Sequence, residues 1–61
     1  MLIKSVATNR YEVELKQDQD EMYYICYGNV AGPLNKKSEL IEDYKIADIL
    51  FELKLQEYEG N

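Results

Sequence analysis

The chain contains no histidine and no tryptophan, and only one cysteine (Cys26), one proline (Pro33) and one phenylalanine (Phe51) among its 61 residues. Without histidine, and with a lone thiol, the usual ligand sets for zinc and other transition metals cannot be assembled, nor can a Ser-His or Cys-His nucleophile pair. The inventory therefore points away from an enzyme and implies no cofactor. Cys26 has no partner for an internal disulfide, which suits a reducing, cytoplasmic setting. Positive charge is also scarce: 7 Lys and Arg against 12 Asp and Glu leave a net charge of −5. Direct binding to nucleic acid is disfavoured, because affinity for phosphates comes from Lys and Arg. The apolar start, Met1 to Ala7, is interrupted by Lys4. It is too short for a signal-peptide core or a membrane span, so no membrane partner is expected.

What is present fits one small α+β domain spanning residues 1–61, with 1–9 either flexible or an extension of the first strand. A chain this short buries only about 60% of the surface its unfolded form exposes, which favours an oligomer or a bound partner. From Tyr11 the pattern has period two: Tyr11, Val13 and Leu15 alternate with Glu12, Glu14 and Lys16. That is the signature of a half-buried antiparallel strand. The polar run Gln17 to Glu21 predicts a turn, and Met22 to Tyr27, rich in aromatic and β-prone side chains, predicts a second strand. Being apolar on both faces, this strand is expected to lie centrally.

Gly28, Asn29, Gly32 and Pro33 mark an irregular connection. After it, Leu40, Ile41 and Tyr44 with interspersed acids predict a short amphipathic helix from about Lys36 to Lys45, capped by Asn35 or Ser38. For Ile46 to Tyr58 two readings compete. Helix-forming residues would continue the helix, whereas Ile49, Phe51, Leu53 and Leu55 alternate with Leu50, Glu52, Lys54 and Gln56 as a strand would. The strand is preferred, since a third strand gives the helix a wider sheet to pack on. The expected fold is thus a three-stranded antiparallel sheet with one helix, in the order β-β-α-β.

Asp18, Asp20 and Glu21 resemble the start of a calcium loop, but Met22 and Tyr23 stand where an EF-hand requires an oxygen ligand and glycine. A solvated hairpin turn is the expectation, with no metal. Cys26 reads as a small buried apolar group, since no neighbouring cation in sequence would lower its pKa. Six tyrosines exceed what one core needs, and tyrosine is enriched at interfaces. On the expected helix, Glu39, Glu42 and Asp43 would fall at i, i+3 and i+4 on one face. Such a row is either a solvated polar face or a mimic of backbone phosphates that fits the cationic groove of a DNA-binding protein.

The order of these features resembles the small uracil-DNA glycosylase inhibitors encoded by Bacillus podophages, which are acidic, dimeric and built as strand, strand, helix, strand. The likeness rests on Tyr11-Glu12-Val13 and on the acidic turn through Asp18 and Asp20 followed by Tyr23-Tyr24. It continues in Ser38-Glu39-Leu40 with Tyr44, and in Ala47-Asp48 leading to Leu53-Lys54-Leu55. In that family an aromatic residue and a tyrosine on the helix, with a glutamate between them, grip an apolar side chain of the enzyme's DNA-intercalating loop in a dimer groove. Leu40 falls at the aromatic position and Tyr44 at the tyrosine. The family's glutamate directly follows its aromatic, where this chain has Ile41, so the acidic role passes to Glu42 or Glu39.

The resemblance implies a homodimeric, stoichiometric inhibitor of a host uracil-DNA glycosylase, acting in the host cytoplasm. Glu39, Leu40, Ile41, Glu42, Asp43 and Tyr44 would form its partner-binding segment. Other readings are a phage DNA mimic aimed at a restriction or CRISPR effector, and a structural or adaptor module whose charge serves solubility.

Overall fold

A computed structural model of the chain describes residues 1–29 and 36–60. Four strands, β1 (Leu2–Ala7), β2 (Tyr11–Gln17), β3 (Tyr23–Asn29) and β4 (Lys36–Lys37), are followed by a single helix, α1 (Tyr44–Glu59). The strands form one antiparallel sheet in the order β1-β2-β3-β4. The α+β class and the antiparallel hairpin agree with expectation, whereas the β-β-α-β order does not: all four strands precede the helix.

The hairpin follows directly from its alternation. Tyr11, Val13 and Leu15 of β2 are buried, and Glu12, Glu14 and Lys16 lie half-buried on the opposite face. On β3, Tyr27, Ile25 and Tyr23 sit across from Val13, Leu15 and Gln17, so they share the core face. The joining turn is closed by Asp18, whose Oδ1 accepts from the N–H groups of Asp20 at 2.8 Å and Met22 at 3.0 Å. Glu21 adopts a positive φ of 63° there, a conformation that L side chains enter at some cost. At the other end of β2, the Thr8 hydroxyl accepts from Arg10 and Tyr11 N–H, each at 3.1 Å, and turns the chain from β1 into β2. Residues 2–7 thus form an edge strand, with a register irregularity between Leu2 and Lys4.

Of the helix expected over 36–45 only Tyr44 and Lys45 are helical, as the start of α1; the residues before the Asp43 cap are non-helical. Lys36 and Lys37 pair with Tyr27 and Cys26. Ser38 N–H donates to the Ile25 carbonyl at 2.8 Å, while its hydroxyl accepts from Ile25 N–H at 2.9 Å. Ile41 and Tyr23 exchange two backbone hydrogen bonds of 2.7 Å each. The physical reason is non-local. β3 is apolar on both faces and centrally placed, and its second edge would otherwise leave buried donors and acceptors unpaired. Segment 36–41 satisfies that edge, so Ser38 is an edge partner and not a helix cap. The alternative cap Asn35, and the Gly32 and Pro33 connection, lie outside the described residues; Gly28 and Asn29 belong to β3.

Segment 46–58, expected as strand, is helix. Its cap is Asp43, whose carboxylate accepts from Lys45 N–H at 2.7 Å and Ile46 N–H at 3.2 Å. Ala47, Phe51 and Leu55, spaced i, i+4 and i+8, are buried against β2 and β3. A second apolar set, Ile46, Ile49, Leu50 and Leu53, points outward. Interleaving of the two sets produces the misleading alternation: Ile49 and Leu53 belong to the outer stripe, Phe51 and Leu55 to the inner. Tyrosine pairs clamp both ends of the helix. Tyr58 stacks on Tyr11, with centroids 4.7 Å apart and planes 7° from parallel, and Tyr44 meets Tyr23 edge-on at 5.4 Å.

Candidate functional site

Because Tyr23 pairs with Gln17 on one side and Ile41 on the other, the β2–β3 turn and the connector into α1 lie at the same end of the sheet. Asp18, Asp20 and Glu21 come from the turn, and Glu39, Glu42 and Asp43 flank Ile41, so this end gathers six of the chain's 12 acidic residues. Four of the seven lysines and arginines are engaged elsewhere. Lys4 pairs with Asp48, Lys16 with Glu14 and Lys54 with Glu57, while Lys37 rides over the Tyr24 ring at 4.4 Å. The Met1 ammonium, which donates to the Gln17 carbonyl, and Lys45, which follows the Asp43 cap, also stand at this end, so the six carboxylates are offset in part.

The six residues expected to form the partner-binding segment do not share a helix face. Glu39, Leu40, Ile41 and Glu42 belong to the extended connector, Asp43 is the N-cap, and Tyr44 is the first residue of α1. Ile41 is partly buried against the core and held by its bridge to Tyr23. Leu40 is 51% exposed and Tyr44 40% exposed, so an apolar and an aromatic side chain stand in solvent beside Glu39 and Glu42. Asp43 has a structural task as well as its charge, since its carboxylate caps the helix. Asp18 likewise spends one oxygen on its own turn. The carboxylates freest to meet a partner are therefore Asp20, Glu21, Glu39 and Glu42, all exposed.

The remaining surface offers less chemistry. Two shallow concavities, of about 190 and 260 Å³, both border Tyr58 at the opposite end of the molecule. They fall below the roughly 300 Å³ at which small-molecule sites begin. Cys26 is half-buried on the outer sheet face opposite Glu14, and so is less enclosed than expected. The tyrosines expected to be shared between core and interface each make contacts within the chain. Two pairs clamp the helix, Tyr27 lies under the Lys54 ammonium at 4.2 Å, and Tyr24 lies under Lys37. Ion pairing raises the pKa of Lys4, Lys16 and Lys54, through Asp48, Glu14 and Glu57 respectively. Among the described residues no helix is long and apolar enough to cross a membrane, and no group of three or more His, Cys, Asp or Glu side chains could hold a metal ion. What sequence reasoning missed is the outer stripe of α1, whose signal was the i, i+3, i+4, i+7 spacing of Ile46, Ile49, Leu50 and Leu53. No protein-family model, curated protein or solved structure matches the chain.

Proposed function

We propose that this chain is a stoichiometric protein inhibitor that enters the cationic DNA-binding groove of a uracil-DNA glycosylase, the enzyme suggested by the phage-inhibitor resemblance. One observation carries the reading: the Tyr23–Ile41 bridge gathers carboxylates from the turn and the connector at one end, around exposed Leu40 and Tyr44. Complementary potential of that kind accelerates encounter and fixes orientation. A glycosylase reaches its target by flipping a base out of the stack, and a protein seated in its groove denies it DNA. In this reading Leu40 and Tyr44 receive the apolar residue of the DNA-intercalating loop. Burying one such side chain contributes about 1.5–3 kcal/mol, so the carboxylates must supply much of the remainder. The acid–apolar contact is made by an extended connector and a helix N-terminus, in place of the helix face implied by the resemblance.

The test titrates a uracil-excision assay with the chain. Inhibition should saturate at a fixed molar ratio, weaken with added salt, and require more protein for the Glu39→Gln, Glu42→Gln double variant. Undiminished excision at large molar excess would overturn the proposal. Capture from host lysate of a restriction or CRISPR effector instead of the glycosylase would keep the mimicry and change the target.

A further inference from the structure

The outer face of α1 is apolar and, among the described residues, uncovered. Ile46 is 53% exposed, Ile49 58%, Leu50 39% and Leu53 48%. Their i, i+3, i+4, i+7 spacing makes a continuous stripe along a 16-residue helix, on the side away from the buried Ala47, Phe51 and Leu55. Single exposed leucines need no explanation, but a contiguous stripe of four marks a surface that meets something apolar.

We propose that a second copy of this chain covers the stripe, with the two helices antiparallel about a two-fold axis. The charges beside the stripe choose both partner and direction. Taking Ile46 and Leu53 as one core position of a heptad and Ile49 as the other, Lys45 and Glu52 recur seven residues apart on one flank, and Leu50 and Glu57 on the other. In an antiparallel pair each flank meets its own equivalent, so Lys45 faces the partner's Glu52, and the symmetry repeats the contact. In a parallel pair opposite flanks meet, and Glu52 would face the partner's Glu57, which repels. Among the described residues neither Lys45 nor Glu52 forms a close ion pair; both are exposed, and Glu52 acts on Lys4 only at longer range. The stripe is thus self-complementary, as an isologous interface must be. The resemblance already implies a homodimer; the stripe adds which face pairs and in which direction, and this assignment holds whether or not the acidic end meets a glycosylase.

Sedimentation equilibrium on the isolated chain, from low micromolar to near-millimolar concentration, tests it without any glycosylase present. The wild-type chain should show a reversible monomer–dimer equilibrium. Ile49→Gln should raise the dissociation constant about tenfold or more. Lys45→Glu should raise it about fivefold, and Lys45→Glu combined with Glu52→Lys should return it to within about threefold of wild type. Circular dichroism confirms that each variant is folded, and the charge variants decide the matter should Ile49→Gln unfold. A wild-type chain that stays monomeric throughout, or an Ile49→Gln dimer as tight as wild type, overturns the proposal. Failure of the charge exchange to restore association overturns the antiparallel arrangement.

Discussion

The two apolar faces of α1 differ little in hydrophobic content and completely in fate. Ala47, Phe51 and Leu55 are buried, whereas Ile46, Ile49, Leu50 and Leu53 stand in solvent. Apolar content alone therefore does not choose the inner face. The buried side includes the small Ala47, fully enclosed in the core, and puts Tyr44 and Tyr58 within reach of Tyr23 and Tyr11. On the far side the four aliphatic side chains find no counterparts among the described residues, because one sheet offers room for one face of one helix. The comparison teaches that shape complementarity decides which stripe folds inward, and that the losing stripe stays exposed.

The sharpest way to break the comparison is to truncate one residue on each face. Phe51→Ala should cost about 3–5 kcal/mol of unfolding free energy, because it removes a ring at 2% exposure and leaves a cavity. In so small a domain, that loss is expected to unfold much of the population. Ile49→Gln, measured in dilute solution where monomers dominate, should stay within about 0.5 kcal/mol of wild type. Urea denaturation followed by circular dichroism reads both, and similar costs on the two faces would refute the asymmetry. A smaller effect tests what fixes the start of the helix. Asp43→Ala should cost about 1 kcal/mol by removing the acceptor for Lys45 and Ile46 N–H. Asp43→Asn, which keeps an acceptor, should cost clearly less; equal losses would show that the cap geometry contributes little.

How much of this was legible beforehand follows from where the deciding information lies. The β2–β3 hairpin was readable because Glu12, Glu14 and Lys16 mark one face of the strand as clearly as Tyr11, Val13 and Leu15 mark the other. Segment 36–41 was not, because Glu39, Leu40, Ile41 and Glu42 look helical locally and are held extended by a strand 9 to 18 residues away in sequence. Segment 46–58 misled for a different reason: two helical stripes, sampled at every second residue, imitate a strand. The candidate site was half legible. The acidic character of residues 39–43 and the prominence of Leu40 and Tyr44 are properties of the sequence. Their gathering with Asp20 and Glu21 depends on the Tyr23–Ile41 bridge, which no local pattern announces.

The smallest effect concerns what stops the helix from rolling its outer stripe onto the sheet. Lys4, on the edge strand, reaches the Asp48 carboxylate and lies 5.0 Å from the centroid of the Phe51 ring, so one cation ties β1 to the helix between its two faces. The pair is more than a third exposed, which limits its worth to about 0.2–1 kcal/mol after solvent screening. Chiefly through its hydrogen bond with Asp48, the pKa of Lys4 lies above its ordinary 10.5 in the folded chain. A raised lysine stabilises the fold fully below its unfolded pKa, and that contribution disappears as the pH climbs through the folded value. Asp48→Asn should therefore be less stable than wild type by that small margin from neutral pH to about pH 10, and the gap should close above the raised pKa of Lys4. Paired urea midpoints across the alkaline range provide the measurement. A gap that persists undiminished once Lys4 is neutral would mean that Asp48 acts through packing, and the helix would owe its orientation to shape alone.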